Sequence, residues 1–123
     1  MPITTYKDFT VWQKSIDLVV EVYKLVQLLP KYETYALSDQ MRRAVVSIPS
    51  NIAEGQGRNS TVEFIRFLNI ARGSCFELDT QLQICLRLEY VAQSDIEESM
   101  NLCTEVGKML SSLIKKLKDS LQK

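Results

Sequence analysis

The feature that most constrains this fold is an uninterrupted heptad-like spacing of apolar side chains in the middle of the chain. Between residues 64 and 85, successive apolar positions lie three or four residues apart without a break. This spacing places all of them on one face of an α-helix that must pack against other helices. The positions are Phe64, Leu68, Ala71, Cys75, Leu78, Leu82 and Cys85.

Three other segments carry the same spacing and predict three further helices. Their apolar positions are Phe9, Trp12, Ile16, Val19, Tyr23 and Val26; then Leu37, Met41, Ala44, Ile48 and Ile52; then Ile96, Met100, Cys103, Gly107, Leu110, Ile114, Leu117 and Leu121. The predicted helices span approximately 8–28, 35–55, 61–90 and 95–121. Ser60 with Glu63, and Ser94 with Glu97, have capping-box spacing and predict the starts of the last two helices.

Four amphipathic helices joined by short turns predict an all-α, single-domain protein over residues 1–123. The favoured arrangement is an antiparallel four-helix bundle with a left-handed supercoil and crossing angles of roughly 20°. Strand signals are absent, and the chain has only three prolines and four glycines. This composition favours helix throughout.

Composition also argues against several functional classes. The chain has no histidine, and its three cysteines have no CxxC spacing. We therefore expect no metal, no cofactor, no catalytic residue and no enzyme activity. No small-molecule substrate is evident. The chain also lacks a signal-peptide pattern and any apolar run of about 18 residues, which predicts a cytoplasmic protein without a membrane partner.

Several apolar residues fall outside these stripes and predict self-association. They are Val20, Val22, Phe67, Ile70, Phe76 and Ile84. Some of them will widen the core of the bundle. The remainder would form a subunit contact, because large exposed apolar patches are uncommon on monomers.

A proline lies inside the second predicted helix, in the segment SIPSNIAEGQGR. Pro49 removes the hydrogen bond to the carbonyl of Val45 and predicts a kink. In one interpretation, the kink and the freed carbonyl shape a binding site. In the other, the side chain of Ser47, Ser50 or Asn51 satisfies the backbone while the helix bends.

Polar side chains beside this proline share one helical face. Antiparallel packing would bring the third helix, including Glu77, close to that face. We expect either a polar network between helices or subunits, or a pocket for a nucleotide or phosphate. The candidate network residues are Ser47, Asn51, Glu54 and Glu77.

Gly55-Gln56-Gly57-Arg58 resembles a phosphate loop only superficially, because a Walker A loop is longer and follows a strand. The glycines predict a left-handed helix end, with Ser60 capping the next helix. Phosphate binding at that helix start stays open as an alternative.

Charge is unevenly distributed although the net charge is zero. Residues 40–73 hold five arginines against two glutamates, whereas residues 74–105 hold one arginine against seven acids. The arginines are candidate contacts for RNA or DNA phosphates, or partners of nearby carboxylates. They are Arg42, Arg43, Arg58, Arg66 and Arg72.

Three segments together resemble the proteins encoded in intervening sequences of bacterial 23S ribosomal RNA genes. They are YKDFTVWQKSIDLVVEVYKL, QMRRAVVSIPSNIAEGQGR and EFIRFLNIARGSCFELDTQLQI, within residues 6–90. The resemblance implies a ring-shaped homopentamer of four-helix bundles. It also implies kinship with the accessory protein of diversity-generating retroelements. The role of the family is generally unassigned.

Two functional hypotheses follow. The first is a cytoplasmic, non-enzymatic assembly protein that forms a homo-oligomeric ring and scaffolds a partner. The alternative is a nucleic-acid-binding accessory factor that acts on ribosomal RNA or with a reverse transcriptase.

Overall fold

Four α-helices make up most of the chain in the computed structural model, which describes residues 5–122. They are α1 (Thr10–Val26), α2 (Leu37–Gln56), α3 (Thr61–Arg87) and α4 (Gln93–Leu121), with short 3-10 helices at Tyr6–Asp8 and Lys31–Glu33. No strand occurs in the described range, so the all-α prediction is confirmed. Residues 1–4 and 123 of the predicted domain lie outside that range.

The helices form a four-helix bundle in which each one packs against two neighbours. Helix α1 lies against α2 and α4, and α3 lies against the same two helices. Because short connections join consecutive helices, neighbouring helices run antiparallel. One end of the bundle therefore contains the α2–α3 turn, the start of α1 and the end of α4. We call it the turn end.

The core confirms the predicted stripes of α2 and α3. Within the α3 stripe only Phe64 is half-buried, and the other six side chains are buried. Met41, Ala44, Ile48 and Ile52 are buried in α2. The alternation of three- and four-residue steps therefore identified the core-facing side of both helices correctly.

The predicted core face of α1 was wrong by one position. Of the predicted positions, Val26 is buried and Tyr23 is 42% exposed, and the other four are half-buried. Val11, Ser15, Leu18, Val22 and Leu25 are buried. This stripe was missed because it contains a serine. The Ser15 hydroxyl donates a hydrogen bond to the Trp12 carbonyl at 2.7 Å, which allows burial without an unsatisfied polar group.

Helix α4 shows the same kind of difference. Ser99 and Val106 are buried in the core, whereas the predicted Met100 and Gly107 are only half-buried. A serine again belongs to the true stripe. A serine can be buried when its hydroxyl bonds the backbone of its own helix, so a search for apolar residues alone misses such a core-facing position.

The glycines of the α2–α3 connection do not adopt the predicted left-handed conformation. Within the described residues no glycine has a positive φ, and Asn59 takes that conformation instead, with φ 54°. Gly57 is the C-cap of α2 in an ordinary helical conformation. Asparagine tolerates the left-handed region, which allows it to end the turn.

Gly55 lies inside α2, buried against α3. A Cβ atom built there would lie 2.6 Å from the Cβ of Phe67 and 3.1 Å from Cδ1 of Phe64. Only a residue without a side chain permits this approach of the two helices. The position of Gly55 is therefore a packing requirement rather than a stop signal.

The two predicted capping boxes have different outcomes. The Ser60 hydroxyl accepts a hydrogen bond from the Glu63 backbone N–H at 3.2 Å, so Ser60 caps α3 as predicted. Helix α4 begins at Gln93, one residue before Ser94, and the carboxylate of Asp95 accepts from the N–H of the N-cap residue Ala92 at 2.8 Å. The predicted cap by Ser94 and Glu97 is wrong.

None of the helices in residues 5–122 combines the length and apolar character needed to cross a membrane.

Candidate functional site

Three side chains of α2 and α3 form a polar network within the interface of these helices. The hydroxyls of Ser47 and Ser74 lie 2.8 Å apart. The Asn51 amide donates to the Ser47 hydroxyl at 2.9 Å and to the Ser47 carbonyl at 2.8 Å. The network therefore ties α2 to α3 at the turn that contains Pro49, with Ser47 and Asn51 on either side of the proline.

Pro49 is buried, and α2 stays helical from Leu37 through Gln56. The Asn51 side chain donates to the carbonyl of Ser47, and not to that of Val45, which is the carbonyl that Pro49 leaves without its helical donor. Its amide thus rigidifies the turn that contains the proline.

Glu54 and Glu77 lie outside this network. Glu54 accepts from Arg58 at 2.8 Å, one turn along its own segment. Glu77 is exposed and accepts from the Gln81 amide at 3.5 Å, near the limit of a hydrogen bond. Ser74 takes the place that we expected Glu77 to occupy. Sequence reasoning missed Ser74, although it adjoins Cys75 on the α3 stripe and faces Ser47 in antiparallel register.

Two of the five candidate arginines converge at the turn end. The guanidinium carbons of Arg58 and Arg66 lie 5.1 Å and 4.4 Å from the ring centroid of buried Phe67. Arg66 also donates two hydrogen bonds to the Glu63 carboxylate, each at 3.0 Å. That hydrogen bonding lowers the pKa of Glu63 and raises the pKa of Arg66.

The other three arginines lie elsewhere: Arg42 and Arg43 border one shallow depression, and Arg72 lies apart from them on α3. Arg42 donates to the Thr34 carbonyl at 2.9 Å and holds the loop that precedes α2. Arg43 pairs with Asp39 at 2.9 Å and is largely exposed. Arg72 bonds Asn69 at 3.0 Å and Ser111 of α4 at 3.3 Å.

Two groups of exposed apolar side chains lie on separate surfaces of the helices. On α1 and α2, Val20, Tyr23 and Val46 are 40–48% exposed, and Tyr23 and Val46 line one shallow depression. On α3, Ile70 and Ile84 are 42% and 40% exposed. Of the other apolar residues that lie outside the predicted stripes, Val22 and Phe67 are buried and Phe76 is exposed.

Ionisable clusters of other kinds offer little chemistry. No group of three or more acidic or cysteine side chains in residues 5–122 could hold a metal ion. One cluster of ionisable side chains lies at the end of the bundle opposite the α2–α3 turn. In it, the Tyr90 hydroxyl lies 2.8 Å from the Glu33 carboxylate and 3.3 Å from the Tyr32 hydroxyl. Hydrogen bonds to Tyr32 and Glu33 raise the pKa of Tyr90. This cluster links the α1–α2 loop to the α3–α4 turn.

Comparison with known proteins assigns the family. A sequence profile described as 23S rRNA-intervening sequence protein matches residues 7–112, which is most of the chain. The chain belongs to this family. The intervening-sequence proteins were the family that the signature around Pro49 indicated, so that prediction is confirmed.

A crystal structure from Bacteroides thetaiotaomicron VPI-5482 supports the assignment. It is described as a protein with unknown function from the S23 ribosomal protein family. It shares 33% identity with this intervening-sequence protein, with a TM-score of 0.80, and the match covers 86% of this chain and 99% of the other. No curated protein matches the sequence. The comparisons thus establish family and fold and assign no reaction.

Proposed function

We propose that this intervening-sequence protein is a non-enzymatic, cytoplasmic assembly protein whose bundles associate into a homo-oligomeric ring. The observation that carries the proposal is the presence of exposed apolar side chains on two separate surfaces of the bundle. Burying such side chains against another copy releases about 25 cal/mol per Å² of apolar area. The ring would then present several identical copies of the bundle to a partner.

The first surface, here the α1–α2 face, consists of Val20, Tyr23 and Val46. Val20 and Tyr23 are three residues apart on α1 and so lie on the same side of that helix. Tyr23 and Val46 border the same depression as Arg43. Arg42 and Asp39 border the depression too, and Asp39 pairs with both arginines, so this face combines apolar contact area with two arginines against one aspartate.

The second surface, here the α3 row, consists of Ile70, Glu77 and Ile84. The three residues are spaced seven apart and project from one side of α3. In the α3 row the Glu77 carboxylate lies between Ile70 and Ile84. In the α1–α2 face Arg43 lies beside the apolar residues. The two surfaces are complementary in charge and suit contact between different copies.

Contact between two different surfaces is heterologous, and such contacts generate closed rings or open filaments. The resemblance of the sequence to pentameric relatives favours the closed form. The α2–α3 network of Ser47, Asn51 and Ser74 supports this arrangement because it fixes the helices that carry Val46 and the α3 row relative to each other.

Val46→Asp tests this proposal, because it places a carboxylate in the α1–α2 face. We expect the variant to elute from a sizing column later than the wild type, while its far-ultraviolet circular dichroism stays unchanged. Val62→Asp is the matched control, since Val62 is 63% exposed and belongs to neither surface. Identical elution of the wild type and both variants would contradict the assignment of this face.

A second candidate function, nucleic-acid binding, is favoured by the convergence of Arg58 and Arg66 on Phe67. The aromatic ring of Phe67 holds both guanidinium groups in place, which reduces the conformational entropy that they lose when they bind phosphate. The antiparallel topology brings Lys115, Lys116 and Lys118 of α4 to the same turn end. Phosphates would have to displace Glu54 and Glu63 from the arginines.

Fluorescence anisotropy with labelled single-stranded RNA tests the second candidate. Binding should weaken steeply with salt, and Arg58→Ala with Arg66→Ala should lower the slope of log affinity against log salt by about 2. Arg87→Ala is the control because Arg87 is exposed at the opposite end of the bundle. Absence of binding at low salt, or an equal loss in the control, would rule this candidate out.

A further inference from the structure

A groove of about 400 Å³ between α3 and α4 exposes chemistry that the assembly proposal does not use. Its lining includes two cysteines from different helices, Cys75 and Cys103, together with Phe76, Gly107 and Lys108. None of these residues belongs to the α1–α2 face or the α3 row.

The two thiols lie next to each other across the helix interface. The Cys103 thiol donates a hydrogen bond to the backbone carbonyl of Cys75 at 3.3 Å. Both cysteines are free and only 3–4% exposed, so their limited contact with solvent is through the groove that they line. A reagent as small as a peroxide fits this opening.

Gly107 leaves open space beside the pair of cysteines. Gly107 lies one turn after Cys103, and a Cβ atom built on it would meet nothing within 4 Å. A disulfide requires Cα atoms about 4.4–6.8 Å apart. The open space at Gly107 leaves room for α4 to shift toward α3 as the two sulfur atoms come into bonding distance.

The thiols differ in acidity in a way that suits sequential oxidation. The neighbouring Cys103 thiol lowers the pKa of the Cys75 thiol, and the same side-chain interaction, together with burial, raises the pKa of Cys103. Thiolates, rather than thiols, attack peroxides. Cys75 is therefore the attacking residue and Cys103 the one that resolves the product.

We propose that Cys75 and Cys103 form a disulfide between α3 and α4 when the protein meets a hydroperoxide. The Cys75 thiolate attacks the peroxide oxygen, the O–O bond breaks, and the leaving alkoxide or hydroxide takes up a proton. Cys75 is then a sulfenic acid. The Cys103 sulfur attacks the Cys75 sulfur, and the hydroxyl leaves as water with the Cys103 proton. The two thiols lose two electrons, which the peroxide accepts.

Intact-mass measurement of the full chain after hydrogen peroxide treatment tests the proposal. Free thiols are alkylated with N-ethylmaleimide in denaturant, so the untreated protein should carry three adducts. The oxidised protein should carry one adduct. The mass of its polypeptide, without adducts, should be lower by two hydrogens, about 2 Da. Peptide mapping should join Cys75 to Cys103, and dithiothreitol should restore three adducts.

Cys85 provides the matched control, because it is buried and does not line the groove. Burial raises its pKa to about 11, with the charge of Glu33 adding to the effect. Cys85→Ser should still form the disulfide and leave no alkylatable thiol. Cys103→Ser should stop at a sulfenic acid on Cys75 that dimedone traps.

Three results would overturn the proposal. They are three adducts in the wild type after peroxide treatment, a disulfide that includes Cys85, and conversion of Cys75 to sulfinic acid without any crosslink. Each is measured on the wild-type chain, so the test does not depend on whether a variant folds.

Discussion

Gly55 shows at the scale of one residue why α2 and α3 pack closely. Its missing side chain lets the backbone of α2 approach Phe67, whose ring in turn positions Arg58 and Arg66. A single glycine thus connects helix packing with the geometry of the arginine pair. The sequence showed two glycines here without indicating which one faces a neighbouring helix.

Gly55→Ala should therefore destabilise the protein. The added methyl group would lie 2.6 Å from the Phe67 Cβ, and overpacking of this kind costs about 1–3 kcal/mol. Gly107→Ala is the control, because its Cβ has free space and alanine in a helix gains about 0.5–1 kcal/mol over glycine. Urea unfolding at matched protein concentration measures both. Equal stability of the two variants would contradict this account of Gly55.

The candidate site could be predicted in part from particular residues. Ser47 and Asn51 were identified because helical spacing places them on one polar face. Ser74 was missed because a serine beside a cysteine on an apolar stripe resembles a tolerated core residue. Glu77 was included because antiparallel packing brings it close, but a one-dimensional register could not show that its side chain points to solvent.

At the scale of the element, caps and turns determine where each helix ends. Helix α3 ends with Glu89 in the left-handed region, φ 61°, and the Tyr90 and Glu89 N–H groups bond the carbonyls of Cys85 and Leu86. This is a Schellman motif formed without glycine. It ends α3 at Arg87, three residues before the predicted limit, and no glycine marks the position in the sequence.

The two serines predicted as caps should respond differently to substitution. Ser60→Ala removes the acceptor for the Glu63 N–H and should cost about 0.5–2 kcal/mol of unfolding free energy. Ser94→Ala should change stability by less than about 0.5 kcal/mol, because Ser94 is exposed within the first turn of α4. Thermal or urea unfolding distinguishes the two. A larger loss for Ser94→Ala would mean that α4 begins where the sequence pattern placed it.

Periodicity predicted the helices themselves because burial of an apolar face dominates the stability of each one. It failed for the core face of α1, where two overlapping stripes have the same spacing. Choosing between them required knowing that buried Ser15 satisfies its own hydroxyl. The displaced stripe leaves Tyr23 exposed beside Val46, which is how the α1–α2 face arises.

At the scale of the whole molecule, the bundle buries a continuous core and still exposes apolar side chains, among them those of the α1–α2 face and the α3 row. The four-helix architecture was predictable because four amphipathic helices with short turns have few alternative packings. For the two surfaces, the sequence indicated only that the chain has more apolar residues than the core stripes contain, and not where the additional ones lie. Assigning Val22 and Phe67 to the interior, and Val20, Ile70 and Ile84 to the surface, required the packed structure.

The absolute mass in solution, measured by light scattering coupled to size exclusion at micromolar concentration, tests self-association most directly. The account predicts a single species whose mass is a whole-number multiple of the 14.1 kDa chain, with a pentamer expected for the ring. A particle of 14.1 kDa over the whole micromolar range would contradict it.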